Sequence, residues 1–330
     1  MRTAPQCGWV PALLALALAG CAANPPAREL AMPRTYAHGI GGATFLIGGT
    51  FVPGRSPDGN SLILYGPEGA FLIDSGRHAD HLTAIRQGFS GIGMTPMAIV
   101  NTHWHLDHAS GNPALKAEHP GIKVYGTSAI DAALTGFLAN SAEASRKALA
   151  EGAIPASAVP DVEGDLATIA RGAELRPDVT VREGGDLVIA GRPLSLRVAN
   201  HAVTESDLWI YDAAEKRAIV GDLVTMPVPF LDTACPEGWL AALDAVAASG
   251  TEQVVPGHGP ILTMAEFGAW KSAFGDFIAC ARGTGALETC SAGWLTGAKP
   301  FLMGDKRAKG MADYYGELIR SGKLDGYCRA

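Results

Sequence analysis

The residues best equipped for chemistry lie in one run, Ile99-Val100-Asn101-Thr102-His103-Trp104-His105-Leu106-Asp107-His108. It holds three imidazoles and a carboxylate, in a chain of 330 residues with only 9 histidines. On extended backbone, side chains two residues apart face the same way, so His103 and His105 can share one cation. Asp107 and His108 follow at the turn into the next element, within reach of a second. Imidazole and carboxylate donors suit Zn²⁺, and a site left open to water is catalytic rather than structural. Adventitious metal binding at the surface would not need the apolar run Met97 to Asn101 that leads into the cluster. A lone histidine is ordinarily a core or surface residue. His38, His78, His81 and His119 fall in no ligand spacing and are read that way. Trp104 and Leu106 alternate with the candidate ligands and are expected to pack on the opposite side.

The elements that must hold this run follow from patterning. Strands are expected over Thr44 to Thr50 and Ser61 to Asp74, the latter folding back at Gly66-Pro67-Glu68-Gly69. Arg77 to Phe89 has helical spacing, with Leu82, Ile85 and Phe89 on one face. Short apolar strands are expected at Met97 to Asn101 and Ile122 to Tyr125, with a helix at Ala114 to His119 between them. Residues 127–174 look helical and polar, broken at Pro155 and Pro160. Strand character returns at Asp186 to Ala190, Leu194 to Val198, Asp207 to Tyr211 and Arg217 to Val220. A helix over Pro236 to Ala248, a strand over Gln253 to Val255 and helices from Met264 onward complete the chain. The order gives two similar halves and an α/β fold, a four-layer αββα sandwich with a helical C-terminal extension. No G-x-G-x-x-G follows the first strand and no G-x-S-x-G elbow occurs, which disfavours a dinucleotide fold and a serine hydrolase.

The run His103 to His108 resembles the metal-binding motif of the metallo-β-lactamase superfamily, and later segments extend the likeness in order. A strand-end histidine follows in Leu196-Arg197-Val198-Ala199-Asn200-His201, a Gly-Asp pair in Ala218-Ile219-Val220-Gly221-Asp222, and Pro256-Gly257-His258-Gly259 after Gln253-Val254-Val255. Phe71-Leu72-Ile73-Asp74-Ser75-Gly76 matches the family's early acidic strand end. The resemblance covers Thr44 to Leu262. It implies two Zn²⁺ per chain, one held by His103, His105 and His201, the other by Asp107, His108 and His258. Asp222 would bridge them with a hydroxide between, and Asp74 would orient a ligand or the Asp107 loop by hydrogen bond. In one place the pattern departs. The family commonly has His-Thr-x-Gly-Asp at the third histidine, whereas His201-Ala202-Val203-Thr204-Glu205-Ser206-Asp207 reads as if two residues were inserted.

The implied activity is zinc-dependent hydrolysis, the metal-bridging hydroxide attacking an acyl carbonyl of an ester, lactone, thioester or amide; Asp107 and Asp74 are the carboxylates assigned to catalysis. Asp222 stands where true β-lactamases usually have Cys or Ser, which points to the wider branch of thioesterases and lactonases. A β-lactamase proper, a diiron redox protein on the same scaffold and a binding lipoprotein with a dead site are the alternatives. The diiron branch normally has an acidic residue where this chain has His105.

Composition narrows the setting. With 26 Lys+Arg against 33 Asp+Glu and a formal net charge of −7, no basic footprint for nucleic acid exists. The expected partner is a small-molecule substrate; oligomeric state is open. Residues 1–20 read as a signal peptide, ending in the lipobox-like Leu18-Ala19-Gly20-Cys21. By that resemblance Cys21 carries a lipid anchor, and Ala22 after it favours the outer membrane over the inner, facing the periplasm. Residues 21–34 read as a flexible tether, 35–262 as the metallo-β-lactamase-type domain and 263–330 as its helical extension. Cys235, Cys280, Cys290 and Cys328 would form two disulfides in an oxidising compartment, with three possible connectivities. The closeness of Cys280 to Cys290 favours a local bridge, leaving Cys235 for Cys328; no C-x-x-C spacing supports a cysteine zinc site.

Overall fold

The computed structural model describes residues 28–52 and 54–329. The expected signal peptide, the lipidation site Cys21 and the first part of the tether lie outside the described residues. Two sheets face each other. The first contains β1 (His38–Gly41), β2 (Thr44–Ile47), β3 (Ser61–Gly66), β4 (Gly69–Ile73), β5 (Pro96–Val100), β6 (Lys123–Gly126) and β7 (Val179–Thr180), side by side in chain order. The second contains β8 (Gly185–Ile189), β9 (Arg192–Asn200), β10 (Ser206–Asp212), β11 (Arg217–Ile219), β12 (Gln253–Val255) and β13 (Leu262–Thr263). Pairing is antiparallel from β1 to β4 and parallel from β4 to β7. In the second sheet only β11 and β12 run parallel.

Strand alternation divides the apolar residues between two cores. Leu62, Leu64, Phe71, Ile73 and Val100 face the second sheet and meet Leu196, Leu208, Ile210 and Val255. Ile63, Leu72 and Ile99 face outward and are covered by Leu82, Ile85 and Phe89 of the helix Ala79–Gly91. Burial on both faces is why these strands read as unbroken apolar runs rather than alternating ones. The outer face of the second sheet is covered by the helices Pro236–Ala247 and Met264–Arg282, and Leu287–Gly297 and Ala308–Arg320 pack on Met264–Arg282. Trp270 and Phe274 there pack in one cluster with Trp209, Val220 and Val254. The result is an α/β fold of four layers with C-terminal helices. Thr263 and Glu266 form a reciprocal cap at the start of Met264–Arg282. The disulfides are Cys280–Cys290 and Cys235–Cys328, the second spanning 93 residues and pinning the C-terminus to the start of Pro236–Ala247. Among the described residues no helix is long and apolar enough to cross a membrane.

Two expectations are corrected. Residues 28–34 are not a free tether. Arg28 binds both carboxylate oxygens of Glu266 and the Ile261 carbonyl, Leu30 packs on the C-terminal core, and Gly48 N donates to Arg34 O. Pro160 does not break a helix either. It sits in the first turn of Val159–Ala170, where its missing N–H leaves no intrahelical bond unmade.

Candidate metal centre

Three chain segments meet at one edge of the sandwich. After β5, His103 and His105 lie on irregular backbone, and the short helix Leu106–Ala109 carries Asp107 and His108. Asp222 sits in the single turn Gly221–Leu223 after β11, and His258 follows β12. These six side chains are all buried. Glycine makes the approach possible at two points. A Cβ on Gly257 would lie 2.0 Å from Asp222 Oδ1, and one on Gly59 would lie 2.3 Å from the His108 ring.

The donor atoms converge on Asp222 from both sides. Around its Oδ1, His108 Nε2 lies at 3.1 Å and His258 Nε2 at 3.4 Å. His258 Nε2 is 3.0 Å from Asp107 Oδ2 and 3.3 Å from His108 Nε2, and His108 Nε2 is 3.9 Å from Asp107 Oδ2. Four donors on a tetrahedron with arms of about 2.0 Å stand about 3.3 Å apart, so this set has the size of a zinc-type cage. On the other side, Asp222 Oδ2 faces His103 Nε2 at 3.7 Å and His105 Nδ1 at 3.9 Å.

Hydrogen bonds behind the rings assign the tautomers. Thr102 Oγ1 donates to Asp74 Oδ2 at 2.7 Å, so it accepts from His103 Nδ1 at 3.0 Å. Thr233 Oγ1 donates to the Val203 carbonyl, so it accepts from His105 Nε2, both at 2.9 Å. His108 Nδ1 donates to Asp74 Oδ2 at 2.8 Å. Each ring is left with a lone pair aimed at a carboxylate, an arrangement that repels unless a cation lies between. His103 Nε2 and Asp222 Oδ1 accordingly have no hydrogen-bond partner despite full burial. The residues present fit a bound metal ion.

The charge distribution agrees. Burial alone would raise the Asp107 and Asp222 carboxyls, but the neighbouring His108 and His258 hold both well below the usual carboxylate range. Burial, then His108 and His105, push His103 well down, so it stays a neutral donor. On His108 burial opposes protonation, yet Asp222, Asp74 and Asp107 raise its pKa well above the ordinary value: without a cation between Nε2 and Asp222, a proton takes up the positive charge these carboxylates demand.

The cluster forms the floor of a cavity of about 330 Å³. Its walls are largely apolar and include Phe51, Trp104, Leu106, Phe137, Val228 and Phe230. Trp104 and Leu106 pack, as expected, in a small core of their own with Ala129, Ile130, Ala133 and Leu138, and they also border the cavity beside His105. Sequence reasoning missed Arg77, Thr233 and the segment Asp58-Gly59-Asn60. Arg77 lines the cavity with NH2 4.0 Å from Asp107 Oδ1 and NH1 3.4 Å from Asp165 Oδ2. Gly59 N donates to Asp107 O, and the Asn60 side chain donates to Pro256 O and Gly259 O, tying two ligand-bearing loops together. No local spacing marks these residues.

The family model for the metallo-beta-lactamase superfamily matches residues 56–258. The chain is a member of the metallo-β-lactamase superfamily. It is 29% identical over 213 residues to a linear primary-alkylsulfatase from Pseudomonas sp., covering 58% of this chain and 40% of that protein. A hydroxyacylglutathione hydrolase from Enterobacter sp. is 44% identical over 55 residues, 17% of this chain and 20% of that one. The chain thus spans less than half the length of these curated relatives. Among solved structures, a metallo-beta-lactamase from Pontibacter korlensis superposes with a TM-score of 0.54 at 20% identity, covering 74% of this chain and all (100%) of that one. A sec-alkylsulfatase from Pseudomonas sp. gives 0.56 at 16% identity over 78% of this chain and 45% of that one. These likenesses show the fold.

Against the superfamily motif, the structure corrects the reading of His201. It lies just past β9 in a left-handed conformation, φ 53°, and is absent from the donor groups at the cluster. Its Nδ1 pairs with Tyr327 O at 2.9 Å, next to Cys328. His201 does not join the donors around Asp222. Asp207 closes the turn by accepting from Val203 N at 3.0 Å, Thr204 N at 3.1 Å and Thr204 Oγ1 at 2.8 Å. A register without an insertion sets Val203-Thr204-Glu205-Ser206-Asp207 on the motif His-Thr-x-Gly-Asp, with threonine three residues before aspartate in both. On that register Val203 stands where the motif has histidine; its side chain offers no donor and is packed in the core.

Proposed function

We propose that this superfamily hydrolase cleaves an acyl bond (ester, lactone, thioester or amide) attached to an apolar limb, with a metal ion held by the Asp107, His108, Asp222 and His258 cluster. The observation that carries this reading is the convergence of imidazole lone pairs and carboxylates on the floor of a cavity whose walls are apolar. A bound metal ion supplies Lewis acidity and lowers the pKa of a water toward neutrality. The chain's own residues do the rest. Asp222 and Asp107 bring the compensating charge, and Asp74 keeps the proton of His108 on Nδ1, so that Nε2 can bind. The rings of Trp104 and Phe137, 5.8 Å apart, and Phe230, 5.3 Å from His105, seat the apolar limb and exclude bulk water. Zinc is the metal this donor set favours.

A second reading, hydrolysis of an alkyl sulfate ester, is favoured by the alkylsulfatase relative and by Arg77, whose guanidinium stands on the cavity wall near Asp107. A panel of acyl esters, lactones, thioesters, β-lactams and a linear alkyl sulfate, each with and without chelator, separates them. Turnover of an acyl substrate that stops on chelation supports the first reading; turnover of the sulfate alone establishes the second. Chelator-insensitive turnover refutes both.

We also propose that the protein is anchored through Cys21 at the periplasmic face of the outer membrane. The leader-like residues 1–20 and the lipobox-like Leu18 to Cys21 support this. Cys21→Ser should shift the protein from the membrane fraction to the soluble periplasm.

A further inference from the structure

The two sides of Asp222 are unequally furnished. On the Oδ1 side, Asp107, His108 and His258 complete a four-donor set with spacings of 3.0 to 3.9 Å. On the Oδ2 side only His103 and His105 face the carboxylate, at 3.7 and 3.9 Å. On the threonine–aspartate register Val203 stands in place of the superfamily's third imidazole, and its side chain, packed in the core, offers no donor. Its carbonyl is occupied by Thr233 Oγ1, the same hydroxyl that holds His105. His201 does not substitute: it is absent from the donor groups around Asp222, and among the described residues Asp222 is approached only by His103, His105, His108 and His258. Charge points the same way. Asp107 and Asp222 together balance one dication. Of the other carboxylates nearby, Asp74 lies behind His108, where both its oxygens already accept hydrogen bonds, Asp165 pairs with Arg77, and Glu205 accepts from Trp104 Nε1.

We infer that the chain retains one metal ion tightly, between Asp107, His108, His258 and Asp222, and that the His103–His105 side holds a second ion only weakly. The inference rests on the metal-dependent reading above but concerns stoichiometry, and its test reads metal rather than turnover.

Purified protein dialysed against metal-free buffer is analysed for zinc by mass spectrometry, and the metal-depleted protein is titrated with Co²⁺ by visible absorption. One retained zinc per chain is expected, with the strong absorption saturating at one equivalent of cobalt. His258→Ala should lose the retained ion, its affinity falling by about 100-fold or more, beyond what loss of a supporting hydrogen bond costs. His103→Ala and His201→Ala should each keep it. Val203→His should raise the retained content to two. Because Val203 is packed in the core, that variant is scored only if its circular dichroism matches the parent; the three alanine variants decide the matter without it. Two tightly retained ions in the parent, or loss of the ion in His103→Ala or His201→Ala, overturn the inference and leave the metal-dependent reading standing. A parent that takes up neither zinc nor cobalt at any concentration overturns both.

Discussion

Replacing Asp74 by Asn tests whether the imidazole lone pairs are held in place from behind. Asp74 Oδ1 accepts from Thr102 N at 2.8 Å, while Oδ2 accepts from Thr102 Oγ1 at 2.7 Å and His108 Nδ1 at 2.8 Å. All three groups are donors, which only an ionised carboxylate can serve together. An asparagine amide has one oxygen. If it faces Thr102 N, the NH₂ group meets His108 Nδ1–H and drives the proton to Nε2, removing that lone pair from the metal. If it faces His108, the NH₂ group meets Thr102 N–H at the root of His103. The backbone itself is spared: Asp74 has φ 54°, a left-handed conformation that asparagine tolerates. One buried hydrogen bond to a charged group is worth about 1.5–3 kcal/mol. At 1.4 kcal/mol per decade that is about 10- to 100-fold in metal affinity, the range found for residues that support metal-bound histidines. Competition with a chromophoric chelator measures it, and circular dichroism of the metal-free protein checks the fold. An unchanged zinc affinity in a folded Asp74→Asn protein would refute the tautomer argument.

Further outcomes are expected. Gly257→Ala, whose Cβ would lie 2.0 Å from Asp222 Oδ1 and 2.7 Å from the Gly221 carbonyl carbon, should displace the Asp222 carboxylate and lower metal content and thermal stability together; a variant with parental metal content and melting temperature would contradict the packing. His78 lies 2.8 Å from both Asp58 and Asp161, and although burial opposes its charge, these carboxylates raise its pKa. That contribution is complete below the unfolded value of about 6.5 and is lost as pH rises through the higher folded value. Denaturant midpoints should therefore fall across this alkaline window in the parent and fall less in His78→Gln; identical slopes would remove His78 as the cause. Free-thiol titration of the mature protein should find none, and four reactive thiols would overturn both bridges. Removing Cys235–Cys328, which closes 93 residues, should cost about 4.5 kcal/mol against about 2.5 for the 10-residue Cys280–Cys290 loop on chain-entropy grounds. Equal losses in denaturation of the two Ser–Ser variants would argue against that ordering.

The strands around the site were legible because their signal is local. Residues such as Ile63 and Leu64 are buried on opposite faces of one strand, and that appears directly as an uninterrupted apolar run. The His103 to His108 spacing was legible for the same reason, since one short segment carries it. Asp222 and His258 could be singled out because each follows its strand within a short motif. Third-ligand assignment was a different problem. From sequence, His201 was the only histidine near the expected place. It sits in a left-handed conformation outside the donor groups, its Nδ1 held by a carbonyl 126 residues further on, next to the Cys235–Cys328 bridge. A register without an insertion puts Val203 at the ligand position, and the Asp207 carboxylate caps the amides of that turn. The apolar cavity likewise draws Phe51, Trp104, Phe137 and Phe230 from segments far apart in the chain. Sequence by itself determined the elements and the chemical type of the site, because both are written in contacts between near neighbours along the chain. Which donors reach the metal, and what the cavity can admit, was decided only by tertiary structure, because turns and long-range hydrogen bonds aim the side chains.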